Sequence, residues 1–328
     1  MIDCFGLRRR KALSFSNTKI NTSGLNKKGS FQQAKKSKER QAYFLIAPQI
    51  IGFFVFSLYP IIWVFRYAFY DYDGITEKFI GLENFIRIFT RDLDYWWSVV
   101  NTIIIAYGKL IVEIPLALIV SLLLSSKLTK CRKVFSVGFY LPNVTGVAVN
   151  CMIFTFLFST FNGAVNNLLT KVQLISEPIN WFAGKWSAMT VIIIHSLWSG
   201  FAANVLLFMA GIQNISDDVM EAASIDGANS VQTFFKITLP MLAPVIRTIL
   251  MLAMVNGMKI MNPVLLLTNG GPAGSTDVVM LRIYKQFFDL SLVPQYGYAS
   301  TMGAVTTCII GILTIIYLKI SKKADSVY

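Results

Sequence analysis

Long apolar runs alternate with shorter polar stretches along most of the chain. Six runs, roughly 43–66, 97–124, 134–158, 188–212, 242–268 and 299–320, are each long enough to cross about 30 Å of hydrocarbon as a helix. They predict an all-α integral membrane protein with six transmembrane helices. Prolines fall inside several runs (Pro48, Pro115, Pro142, Pro244 and Pro263). Membrane helices tolerate such residues where neighbours or water satisfy the freed carbonyls, so bent helices around a cavity are expected.

The polar stretches give the bundle a direction. Basic residues crowd the N-terminal tail, the 125–133 loop (Lys127, Lys130, Arg132, Lys133) and the C-terminus (Lys319, Lys322, Lys323). The alternate loops hold fewer: Lys78, Arg87 and Arg91, then Lys171 and Lys185, then Arg282 and Lys285. The positive-inside rule therefore places both termini in the cytoplasm, consistent with an even number of spans. Residues 1–40 carry eleven basic residues against two acids, which is +9 of the chain's net +13. This stretch is also rich in Ser, Asn, Gln and Gly and has no helical or strand period. Residues 1–41 thus read as a flexible basic cytoplasmic tail suited to anionic lipid, ahead of a transmembrane domain over 42–328. The tail lacks the apolar core and small-residue site of a cleaved signal peptide.

Composition narrows the chemistry. With 55% apolar and 14% charged residues, too few polar side chains remain for a water-facing enzyme. A positive excess concentrated in one tail argues against nucleic-acid binding. Cys4, Cys131, Cys151 and Cys308 are widely spaced, and His195 is the one histidine, so no metal-ligand spacing emerges.

The 213–241 segment is a long, acidic loop on the expected cytoplasmic side. It carries Asp217, Asp218, Glu221 and Asp226 against Lys236. Ser216 is placed to N-cap a helix whose first turns hold the acids, where the helix dipole favours them. Gly227 can end that helix in the left-handed conformation, and a second short helix is expected to stop near Pro240.

Within this loop, Glu221-Ala222-Ala223-Ser224-Ile225-Asp226-Gly227-Ala228, followed by Phe234, Ile237, Leu239 and Pro240, resembles the EAA loop of binding-protein-dependent ABC importer permeases. Similarity extends over roughly 42–320. Gly81-Leu82-Glu83-Asn84-Phe85 resembles a GLxNF segment, and Asn101-Thr102 opens the second run as an N-T pair does in that family. Tyr140-Leu141-Pro142, Thr268-Asn269-Gly270-Gly271-Pro272 with Thr276, and Tyr296-Gly297-Tyr298-Ala299-Ser300 match further family segments. Together they resemble the carbohydrate, maltose-permease-like branch and its first permease. Met261 and Asn262-Pro263 depart from the family pattern, where an aromatic and then an Asp are usual.

The resemblance implies a type I importer fold in the bacterial cytoplasmic membrane. It implies a heterodimer with a homologous permease, two cytoplasmic ATPase subunits holding ATP and Mg, and an extracellular or periplasmic solute-binding protein. Glu221, Ala222, Ala223, Asp226, Gly227, Ala228, Phe234, Leu239 and Pro240 would form the coupling helix that docks on an ATPase. No GxxxxGK[ST] occurs, so the chain is expected to bind no cofactor and to hydrolyse no ATP itself.

Polar groups within the runs are candidates for the solute path. Lys109 and Glu113 are four apart and share a helix face, either as a self-neutralising buried pair or as groups lining the path. His195 reads either as a packed, hydrogen-bonded histidine or as a ligand contact. Asn256, Lys259 and Asn262 recur every three residues and are expected on one face, with Trp198 and Phe201 as aromatic platforms. Lys109 and Lys259 together would suit a carboxylated sugar. An alternative function is ion-coupled secondary transport with Lys109, Glu113 and His195 as a proton relay.

Overall fold

The computed structural model describes residues 41, 43–125, 132–289 and 294–325. The basic tail over 1–40, Lys127 and Lys130 lie outside these residues. The chain parts into two compact units, Met1–Ile61 and Ile62–Tyr328.

Four helices are long and apolar enough to cross a membrane: α1 (Tyr43–Tyr67), α3 (Leu93–Ser125), α7 (Lys185–Gln213) and the Tyr296–Lys322 part of α13 (Tyr296–Asp325). A π turn at Phe54–Leu58 lies within α1. The third and fifth runs are broken rather than straight. Gly138–Val144, the end of α4 (Arg132–Val144), turns by 110° into α5 (Val147–Leu157). The α9 segment (Ser230–Met241) turns by 62° into α10 (Ala243–Met258). Counting each bent pair as one span gives six among the described residues.

The breaks follow the sequence unevenly. Pro115 sits inside α3 without ending it, whereas the third run turns just after Pro142, at Thr145-Gly146. There the buried Asn150 amide donates to the Pro142 and Thr145 carbonyls at 2.8 and 3.3 Å, so the turn's freed acceptors are satisfied inside the fold. The fifth run stops at Met258 and restarts as α11 (Asn262–Leu267), with Pro263 in the first turn, where its missing N–H costs nothing.

Shorter elements complete the chain: a hairpin of β1 (Tyr70–Tyr72) and β2 (Glu77–Phe79), α2 (Glu83–Thr90), α6 (Ala164–Lys171), α8 (Asp217–Ile225) and α12 (Val279–Phe288). The hairpin is antiparallel with Asp71 opposite Lys78, a small β addition to the all-helical expectation.

Within Ile62–Tyr328, α3 is the spine. It packs along α7 in the same direction, with Gly108 against Ile193 and the Lys109–Glu113 turn against Gly200. At its start, Tyr95 and Val99 join Ile88, Val279, Tyr298 and Met302 in one apolar cluster. In its middle, Ile105 packs with Met189, Ile192, Val264 and Leu281. Near its end, Ala117 and Leu124 pack with Phe201, Val205, Phe208 and Ile249. Phe201 is therefore a core residue and not a sugar platform.

Four family-like segments come together near the start of this spine. Asn101 donates to the Ser275 and Asp277 carbonyls at 3.1 and 3.0 Å, and the Thr102 hydroxyl accepts from the Val279 amide at 3.0 Å. Thr276, hydrogen-bonded to Thr268 and to the Gly271 carbonyl, closes the turn that Asn101 grips. Asn84 donates to the Tyr70 carbonyl at 3.0 Å, and Gly297 lies directly against that carbonyl from α13.

Candidate functional site

Two regions remain once the core is assigned. The first is a cavity of about 170 Å³ midway along α3, between α3, α7 and α10. Lys109, Ser196, Ser199 and Asn256 give it polar groups, and Ile105, Ile260 and Pro263 give it apolar wall. A side chain at Gly200 would meet the Lys109 ammonium at 2.7 Å, so glycine there lets the charge cross close to the α7 backbone.

Behind Lys109 stands Glu113, 3.4 Å from the ammonium, with its carboxylate almost fully buried. A buried carboxylate needs that cation, and the pair as a whole is neutral. Glu113 therefore holds Lys109 rather than lining the cavity itself. Among the described residues, the buried Ser196 hydroxyl and Glu113 Oε1 have no hydrogen-bond partner.

The remaining candidates separate. His195 is fully buried, with Nε2 3.4 Å from the Cys151 sulfur and the ring edge-on to Phe154. Its Nε2 faces Cys151 and its buried Nδ1 has no hydrogen-bond partner, so among the described residues no hydrogen bond joins His195 to Lys109 or Glu113. Trp198 is partly exposed and packs on Phe154 at 5.5 Å. Lys259 follows the last residue of α10 and Asn262 opens α11, so Asn256, Lys259 and Asn262 do not share one helix face. The cause is the break that accompanies Pro263, which shifts the backbone out of helical register between Met258 and Asn262. Of the three, Asn256 lines the cavity. Sequence reasoning passed over Ser196 and Ser199. Their spacing, with Gly200 beside them, puts small residues on one face of an otherwise bulky helix, and that was the available signal.

The second region is the helical knob beyond Gln213, at the end of α7 farthest from α12 and the hairpin. Ser216 occupies the N-cap of α8 but its side chain makes no capping bond. The helix ends as expected. Gly227 has φ +74°, the Gly227 amide bonds the Ser224 carbonyl, and the Ala228 amide bonds the Ala223 carbonyl at 3.0 Å. This is the paired reverse bonding of a glycine C-cap.

The second helix starts with a capping box that the sequence reading missed. Asn229 and Gln232 exchange side-chain and backbone hydrogen bonds at 2.8 and 3.0 Å. Ala223 and Thr238 are buried beneath the knob. Glu221, Ala222, Asp226 and Pro240 are exposed, while Ala228, Phe234 and Leu239 are half-buried. Ile225 is 86% exposed, Val231 64% and Phe235 60%, the last edge-on to Phe234 at 4.8 Å, so the tip carries exposed apolar side chains with acids at their side.

A family match joins these two regions. Residues 113–324 match the binding-protein-dependent transport system inner membrane component family. The chain belongs to this family. It is 35% identical to the probable ABC transporter permease protein YesP of Bacillus subtilis, over 85% of this chain and 90% of that protein. It is 30% identical to the arabinooligosaccharides transport system permease protein AraP of the same organism, over 87% and 90% respectively. Its fold superimposes, with a TM-score of 0.78 and 21% identity, on a solved chain of a bacterial ABC transporter involved in importing the acidic polysaccharide alginate. That match covers 89% of this chain and 98% of the other. This permease is thus a multi-pass membrane protein, and its EAA loop is the α8–α9 knob.

Proposed function

We propose that this chain is one permease subunit of an ATP-driven, binding-protein-dependent importer of sugars and oligosaccharides, moving solute by alternating access. One observation carries the mechanical part. The α7 helix runs unbroken from the cavity-lining Ser196, Ser199 and Gly200 to Gln213 at the base of the knob. Gly200 and Gln213 are about 20 Å apart at helical rise. A displacement of the knob is therefore delivered to the cavity wall by one rigid rod, and α10 returns the same connection on the other side.

The remaining parts of the machine are proposed with it. A homologous second permease completes the path, and a periplasmic or extracellular binding protein delivers solute. Two cytoplasmic ATPase subunits, holding ATP and Mg, receive the knob through Ile225, Val231 and Phe235 and its acidic side. Both termini face the cytoplasm. Several curated relatives carry sugar names, AraP among them, which supports the solute class. In the cavity, hydroxyl and amide groups of Ser196, Ser199 and Asn256 suit sugar hydroxyls, and Lys109 is the group able to bind a sugar carboxylate.

Reconstitution of the full importer in proteoliposomes tests this reading. Uptake of arabino-oligosaccharide or uronate-containing oligosaccharide should require ATP and binding protein and should persist with an uncoupler. Uptake without ATP that collapses on uncoupling would establish secondary transport instead. Replacing Lys109 with Met should reduce uptake of the acidic saccharide more than the neutral one.

A further inference from the structure

The end of the bundle opposite the knob holds a separate cavity of about 380 Å³, formed by the hairpin, α2 and the start of α13. Lys78, Arg87 and Arg91 line it, with Asp71 and Glu83. The acids have local roles. Asp71 faces Lys78 across the hairpin, and Glu83 lies in the first turn of α2, where the helix dipole favours an acid. Arg87 stacks over the Tyr298 ring at 3.9 Å and donates to the Gln295 side-chain amide oxygen, Oε1, at 2.8 Å. Among the described residues, Arg87, Arg91 and Lys78 have no carboxylate at ion-pair distance, although Glu83 is one helical turn from Arg87.

The surroundings are those of a bilayer interface. Helix α3 starts at Leu93 and α13 at Tyr296, their apolar runs follow within about one turn, and Trp96 and Trp97 stand at the start of the α3 run. Leu82, Ile86, Phe89 and Leu93 stand exposed beside the cavity, so α2 presents an apolar edge next to its arginines. Arg87 and Arg91, one turn apart, offer forked donors to a phosphate, and the apolar edge offers a place for acyl chains.

The geometry points to a binding site for the phosphate of an anionic phospholipid, held by Arg87 and Arg91 with Lys78 at the margin. A soluble anion would use the same donors but would leave the apolar edge without a role. The site lies outside the solute cavity and does not depend on which solute is carried.

The test titrates the purified, assembled transporter with phosphatidylglycerol and with phosphatidylcholine of the same acyl chains, counting bound lipid by native mass spectrometry. Phosphatidylglycerol should bind about tenfold more tightly. The Arg87→Gln/Arg91→Gln double variant should lose that preference, and Arg91→Lys should keep most of it. Arg91→Gln alone should weaken the preference and decides the matter if the double variant fails to assemble, because Arg91 is exposed at the end of α2. Equal binding of the two lipids, or a preference that survives these substitutions, overturns the site. Complete displacement of phosphatidylglycerol by inorganic phosphate assigns it to a soluble anion and overturns the lipid reading.

Discussion

The two ends of this permease are held by different kinds of bond. At the α2–α12 end, long-range polar contacts tie separate elements together. Arg282 bridges Asp92 at 3.0 Å and Asp94 at 3.5 Å, the Tyr298 hydroxyl donates to Asp92 at 2.6 Å, and Asn101 grips the 275–277 backbone. At the knob end the bonds are local: a glycine C-cap at 222–228, a capping box at 229–232, and apolar side chains left in the open. At the first end distant parts of the chain fasten one another. The other is a preformed surface, rigid in backbone but unfinished in side chains, and that is what docking to another subunit requires.

The largest expected effect is at the knob. Gly227→Val places a β-branched residue at φ +74°, a conformation L-residues reach only with strain of roughly 1–2 kcal/mol. Because the strain falls on an exposed turn, the permease should still insert and fold. Transport and solute-stimulated ATP hydrolysis by the assembled importer should fall about tenfold or more, since the knob's two helices set the register of the docking face. Normal uptake in that variant would remove the coupling role.

Asn101→Ala should do the converse. It strips hydrogen bonds from two carbonyls of the 275–277 segment, for a loss of about 2 kcal/mol. A lower thermal midpoint in detergent is expected, with ATPase coupling per folded molecule retained. If coupling fails while the midpoint holds, the two ends are not as separate as their bonding implies.

A smaller change, Asn229→Ala, removes the capping box of α9 and should cost about 1 kcal/mol. It should appear as faster amide exchange over 229–233 and a modest loss of coupling, without a shift in the global midpoint.

The smallest effect distinguishes the ends by pH. In the hairpin, backbone amides of Thr76 and Ile75 and the Thr76 hydroxyl hold the Asp73 carboxyl below its ordinary range. A carboxylate with a lowered folded-state pKa contributes stability above its unfolded pKa and loses it as pH falls through the folded one. Protection of the Thr76 and Ile75 amides, corrected for intrinsic exchange, should therefore decline on acidification. That of Gln232 and Asn229, capped by uncharged amides, should not. Equal acid sensitivity would refute the contrast.

How much was legible beforehand follows the range of the interactions. The C-cap at Gly227 was readable because a left-handed residue after a helical stretch is a local event with a known residue preference. The family-like segments were readable as strings but not as fasteners. Nothing in Asn101-Thr102 announces a partner over 170 residues later in the chain. The expected face of Asn256, Lys259 and Asn262 assumed an unbroken helix, and the restart at Asn262 took it apart. The Lys109–Glu113 pair was readable from its four-residue spacing, whereas nothing local announced Cys151 as the neighbour of His195.

By itself the sequence determined the membrane class, the approximate spans and the chemistry of the knob, because each depends on runs or motifs of fewer than about thirty residues. The tertiary structure alone decided where the third and fifth runs bend, which polar side chains share a cavity, and which arginines remain unpaired at the opposite end. Those outcomes depend on which helix faces meet, and a single helix carries no record of its neighbour's rotation.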